Sequence, residues 1–67
     1  MEQDWVKVYS SSKFHQVHFI KSLLEENNIT SVEINKRDSS YNFGEIELYV
    51  KNTDEVRAHY LIRQREL

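Results

Sequence analysis

Residues 44–50 read GEIELYV, and this stretch decides the fold. It opens on Gly44, the single glycine of the chain, and then alternates. Ile46, Leu48 and Val50 fall on one side, and Glu45, Glu47 and Tyr49 on the other. A repeat of two with one uncharged side is the pattern of a strand that buries one face. The expectation is the central strand of a small sheet, with helices packed on the Ile46–Leu48–Val50 side.

Upstream, residues 31–36 (SVEINK) alternate as well and predict a strand with Val32 and Ile34 inward, Glu33 and Asn35 outward. Residues 37–43 (RDSSYNF) have the polar composition of a loop that joins the two strands as a long hairpin. Before them, Lys13 to about Asn28 carries Phe14, Val17, Ile20, Leu23 and Leu24, with Phe19 on the flank, at the spacing of a helical apolar stripe. Ser12 is the expected cap, supported by Gln16. Asn27 and Asn28 tolerate the left-handed backbone that ends helices. Residues 4–9 (DWVKVY) predict a first strand with Val6 and Val8 on one side and Trp5, Lys7 and Tyr9 on the other.

Downstream, Asn52 or Thr53 caps a second helix running to about Glu66, with Asp54 and Glu55 suited to its positive end. Ala58, Leu61 and Ile62 form one face of it, flanked by Arg65, while Val56 and Tyr60 fall on another. Either this helix is buried on two sides or Val56 and Tyr60 meet a partner, and the sequence leaves both open.

The order is therefore β-α-β-β-α. A strand–helix–strand crossover of the usual right-handed sense places the third strand between the first two, with both helices on one face. The expected class is α+β: a ferredoxin-like split β-α-β-β-α sandwich whose three-stranded antiparallel sheet lacks the last strand and leaves the first as an edge.

Sixty-seven residues suit one domain, spanning 1–67, with a small core and marginal stability. With no cysteine, neither a disulfide nor a thiolate metal site can reinforce it. The 9 basic and 11 acidic residues give a net charge of −2 without a basic stripe, which argues against nucleic acid as a partner. No apolar run approaches the roughly 20 residues of a membrane span. Glu2 and Asp4 stand where a signal peptide would be basic, so a cytoplasmic location is expected. Hydrophobic residues at 39% and aromatics at 12% argue against disorder.

His15 and His18 share a helix face, and His59 lies on the second helix, but no further ligand stands beside them to complete a zinc set. Glu45 and Glu47, with Glu33 as a neighbour, read as an exposed acidic face, because an acid–base pair needs a cleft to separate its pKa values. No catalytic residue, metal or cofactor is assigned, and an enzyme is not expected. The stronger candidate is the sheet face away from the helices, on which Trp5, Lys7, Tyr9, Glu47 and Tyr49 are expected together with Glu33, Asn35 and Glu45. Base stacking on such a face would bring phosphates against its glutamates. Aromatics within a polar rim suit a homodimer or protein-partner interface; simple cross-strand cover is the other reading of the same residues. A second candidate is the loop with Arg37, Tyr41 and Phe43, either a recognition element or, for Phe43, a side chain folded back on the sheet edge or a helix end.

The runs VYSSSKFHQVHFIKSLLEENNI and GEIELYVKNTDEVRAHYLI resemble a small bacterial domain family of unknown function grouped as prokaryotic signal-transducing proteins. The matching residues are Val8, Tyr9, Ser10, Ile20, Lys21, Leu23, Leu24, Glu25, Ile29, Gly44, Leu48, Val50, Asp54, Ala58 and Ile62. The chain departs from the pattern at Asn28, where glycine is common, and at Lys51, where proline is. The resemblance implies the PII-like (GlnB-like) branch of the ferredoxin-like fold, a regulatory role, and signalling through the loop between the second and third strands. It implies no catalytic residue. The expected function is a small non-enzymatic binding or regulatory module acting through its open sheet face. The alternative is a PII-like small-ligand or nucleotide sensor, against which the want of a glycine-rich phosphate loop counts.

Overall fold

The structure, a computed structural model, describes residues 4–36 and 44–66. The elements run β1 (Trp5–Ser11), α1 (Phe14–Glu26), β2 (Ser31–Asn35), β3 (Ile46–Lys51), a short 3-10 turn (Asn52–Asp54) and α2 (Glu55–Glu66). The sheet has three strands in the order β1-β3-β2, and both pairings are antiparallel. This is the expected α+β arrangement with the GEIELYV strand at its centre.

Ile46, Leu48 and Val50 are fully buried against Val17, Ile20 and Leu24 of α1 and Ala58 and Ile62 of α2, so both helices cover one face of β3. Each large aliphatic side chain removed from water here contributes about 1.5–3 kcal/mol. Phe14 stays half exposed at the start of α1, where its ring lies 4.1 Å from that of His18. The stripe that the core uses begins at Val17.

The N-cap of α1 is Lys13, not the expected Ser12, and no side chain caps it; Ser11 braces the approach to the helix instead. Ser11 Oγ accepts the Lys13 backbone N–H at 3.0 Å and donates to Gln16 Oε1 at 2.9 Å. At the other end Asn28 adopts φ 64°, and the Ile29 N–H reaches back to the Leu24 carbonyl at 2.9 Å. That is a Schellman turn with asparagine in the position glycine usually takes. It delivers Ile29 fully buried into the core.

Ile29 also sets the phase of β2, and the phase is opposite to the expected one. Side chains alternate along an extended chain, so with Ile29 inward, 31, 33 and 35 follow it. Ser31 pairs with Val50, Glu33 with Leu48 and Asn35 with Ile46, which places them on the helix side of the sheet. Ser31 is buried, and its carbonyl accepts Lys21 Nζ at 3.2 Å. Glu33 escapes full burial because β2 is an edge strand, and its Oε1 lies 3.3 Å from His18 Nε2. Val32 and Ile34, expected inward, point the other way and remain 39% and 40% exposed.

A second departure lies in β1. Lys7 pairs with Tyr49, but the next pair is Tyr9 with Leu48, so Val8 is an extra residue in the ladder. Such a bulge reverses the facing of everything beyond it. Val8 is buried, and Tyr9 packs against the helix-side core.

On α2, Ala58 and Ile62 are buried and Leu61 is half-buried against the core, as the pattern expects. Val56 is 82% exposed and Tyr60 62% exposed, so the helix is buried on one side only within this chain.

Candidate functional site

The face of the sheet opposite the helices is built from every second residue of the three strands. Glu47 and Tyr49 stand at its centre on β3, because Ile46, Leu48 and Val50 are committed to the core. Across the β1 ladder Lys7 lies opposite Tyr49, and Trp5 opposite Lys51. Across the β2 ladder Val32 lies opposite Tyr49, and Ile34 opposite Glu47. Side chains directly opposite in an antiparallel pair share a face. Trp5, Val32, Ile34 and Tyr49 therefore share this side with Lys7 and Glu47.

The charges here are arranged around one carboxylate. The Tyr49 hydroxyl donates to Glu47 Oε1 at 2.8 Å. Lys7 Nζ lies 3.6 Å from Oε2, and Lys36 Nζ lies 3.6 Å from Oε1. Lys7 comes from β1 and Lys36 from the end of β2, so Glu47 ties the outer strands to the central one. The Tyr49 hydrogen bond does most to hold the Glu47 carboxyl below its ordinary value of 4.5, with Lys36 and Lys7 adding to it against the cost of desolvation. The same hydrogen bond raises the Tyr49 phenol above 10.0, since losing its proton would set two anions side by side.

Of the residues expected to make this face, Trp5, Lys7, Glu47 and Tyr49 are brought together. Tyr9 is not: the bulge at Val8 turns it to the helix side. Glu33 and Asn35 leave the face as well, and Val32 and Ile34 replace them through the phase of β2. Counting in twos from Ile29 rather than from Val32 would have found this pair. Glu45 is exposed, and its carbonyl accepts the Lys36 backbone N–H at 3.0 Å. The loop candidates Arg37, Tyr41 and Phe43 lie outside the described residues.

The histidines take separate surroundings. His18 meets Glu33 and the Phe14 ring, and His59 Nε2 lies 3.6 Å from Glu55 Oε2. His15 borders a groove with Tyr9 and Phe19. Among the described residues no group of three or more His, Asp or Glu side chains is placed to hold a metal ion. None of the described helices is long and apolar enough to cross a membrane.

A family model described as "Putative prokaryotic signal transducing protein" matches residues 5–66. The chain belongs to this family. The match runs from the first residue of β1 to the last of α2, so the signal-transducing family pattern takes in all three strands of the open face and both helices behind it. No curated protein and no solved structure matches the chain.

Proposed function

We propose that this member of the signal-transducing family is a non-enzymatic regulatory binding module of the prokaryotic cytoplasm, and that its open sheet face is covered by a second copy of the chain. The observation that carries the reading is the outward phase of β2. Val32 and Ile34 add aliphatic surface beside Trp5 and Tyr49, on a side where neither helix packs. Aromatic and aliphatic residues surrounded by lysines and a carboxylate are the composition of a protein interface with a polar rim.

A second copy suits the face because the face carries both signs. A two-fold axis brings a patch against itself, so a patch with only one sign would repel its mate. Here Lys7 and Lys36 stand beside Glu47, and rotation about an axis through the face sets cations against carboxylate. A small domain also gains stability from association that its own core cannot supply.

Size-exclusion chromatography with light scattering tests the reading across a concentration series. The expected result is twice the chain mass for the natural protein and the chain mass for Ile34→Lys, with an unchanged circular dichroism spectrum. A monomer at high micromolar concentration, with Trp5 emission at its fully hydrated wavelength, would overturn it.

A further inference from the structure

Behind the sheet, on the layer opposite the open face, Tyr9, His15, Gln16, Phe19, Ile20 and Arg65 line a groove of about 560 Å³. Its walls come from β1, the first half of α1 and the last turn of α2. The volume falls within the roughly 300–1,000 Å³ of small-molecule sites, and the make-up is theirs too: apolar and aromatic walls with a few polar groups. The groove exists because Tyr9 follows the bulge and so stands on the helix side.

The core has no use for Phe19. It is 53% exposed on a helix whose buried positions are Val17, Ile20, Leu23 and Leu24. Arg65 instead lies over its ring, with the guanidinium carbon 5.5 Å from the centroid. A cation–π contact uses the charge of a guanidinium rather than its N–H groups, whose fork matches the two oxygens of a carboxylate. Gln16 accepts the Ser11 hydroxyl on its amide oxygen, which turns its amide into a donor toward other groups. Among the described residues no carboxylate lines the groove, and Arg65 is the one permanent charge there.

We infer that this groove is a binding site for a small aromatic carboxylic acid, its ring between Tyr9 and Phe19 and its carboxylate on Arg65. One fixed cation matches one negative charge; a phosphate dianion would call for more donors than these side chains offer. The site shares no residue with the open face, so it stands or falls independently of dimer formation.

The test is a titration of the isotope-labelled full chain by nuclear magnetic resonance, with phenylacetate, its neutral amide phenylacetamide, and acetate as probes. Phenylacetate is expected to give saturable shifts at the backbone amides of Tyr9, Gln16, Phe19 and Ile20. Phenylacetamide is expected to bind about tenfold more weakly, the loss of one charge-assisted contact, and acetate not at all. Arg65→Gln should erase the preference for the acid over the amide, while Phe19→Ala should weaken both. Arg65 and Phe19 are exposed, so neither change threatens the fold. Shifts that fail to saturate at millimolar phenylacetate, that map to the open face, or that are equal for acid and amide would overturn the assignment.

Discussion

Val32 lies directly opposite Tyr49 across the β2–β3 ladder, on the side of the sheet away from both helices. That pairing fixes which side of β2 is inward, and a stability measurement can read it. Below the concentration at which the chain associates, Val32→Thr is expected to cost less than about 1 kcal/mol, the scale of an exposed cross-strand pair. A valine in the core would cost more. Ser31, the inward residue beside it, is buried with its hydroxyl unpartnered among the described groups. Ser31→Ala should therefore raise the urea midpoint, by the equivalent of about 1 kcal/mol, without changing the slope.

The Glu47–Tyr49 hydrogen bond predicts two limits in pH. The Glu47 carboxyl is lowered from 4.5, so the stability it contributes is present above 4.5 and is lost as pH falls through the lower folded value. The Tyr49 phenol is raised from 10.0, so its contribution is present below 10.0 and is lost as pH rises through the higher folded value. Tyr49→Phe removes the leading cause of the first shift. Acid unfolding followed by circular dichroism should then begin at a higher pH, and the Glu47 carboxyl resonance should titrate closer to 4.5. An unchanged Glu47 titration would assign the shift to Lys7 and Lys36 instead.

Asn28 holds φ 64°, a left-handed backbone that costs a residue with a β-carbon about 1–2 kcal/mol and glycine nothing. Asparagine offsets part of that cost with local hydrogen bonding. Asn28→Ala is expected to destabilise the chain by about 1 kcal/mol, and Asn28→Gly to hold or raise the midpoint. Thermal unfolding of the two variants gives the order. Equal midpoints would mean that the turn after α1 does not depend on this backbone.

The two faces of α2 should respond differently to substitution. Ile62→Ala removes a buried side chain and is expected to cost about 2–5 kcal/mol. Val56→Ser and Tyr60→Ser change exposed positions and should stay within about 0.5 kcal/mol. Denaturant unfolding checks this below the concentration at which the chain associates. A large loss from Val56→Ser under those conditions would place the residue inside the core.

Much of the fold was legible because long alternating or helical patterns carry it. Ile46, Leu48 and Val50 are uncharged at strict spacing, and Val17, Ile20 and Leu24 repeat at helical spacing, so strand, helix and the faces they share followed from period alone. Trp5, Lys7, Glu47 and Tyr49 stand on the open face for the same reason, whereas Tyr9, Glu33 and Asn35, expected beside them, do not. What misled was phase. In SVEIN the apolar letters are the exposed ones, because Ile29, outside the strand, had already taken the inward position. In WVKVYSS the alternation looks unbroken through Tyr9, yet an extra residue sits in the ladder.

The sequence by itself determined the number and order of the strands and α-helices, and which side of β3 and α1 is buried. Those properties depend on neighbours a few residues away. Only the tertiary structure decided that Val32 and Ile34 look outward, that Tyr9 turns to the helix side, and that Arg65 comes to rest over Phe19. Register and bulges are set by pairing between strands far apart in the chain, and a shift of one residue reverses a face while leaving the local pattern untouched.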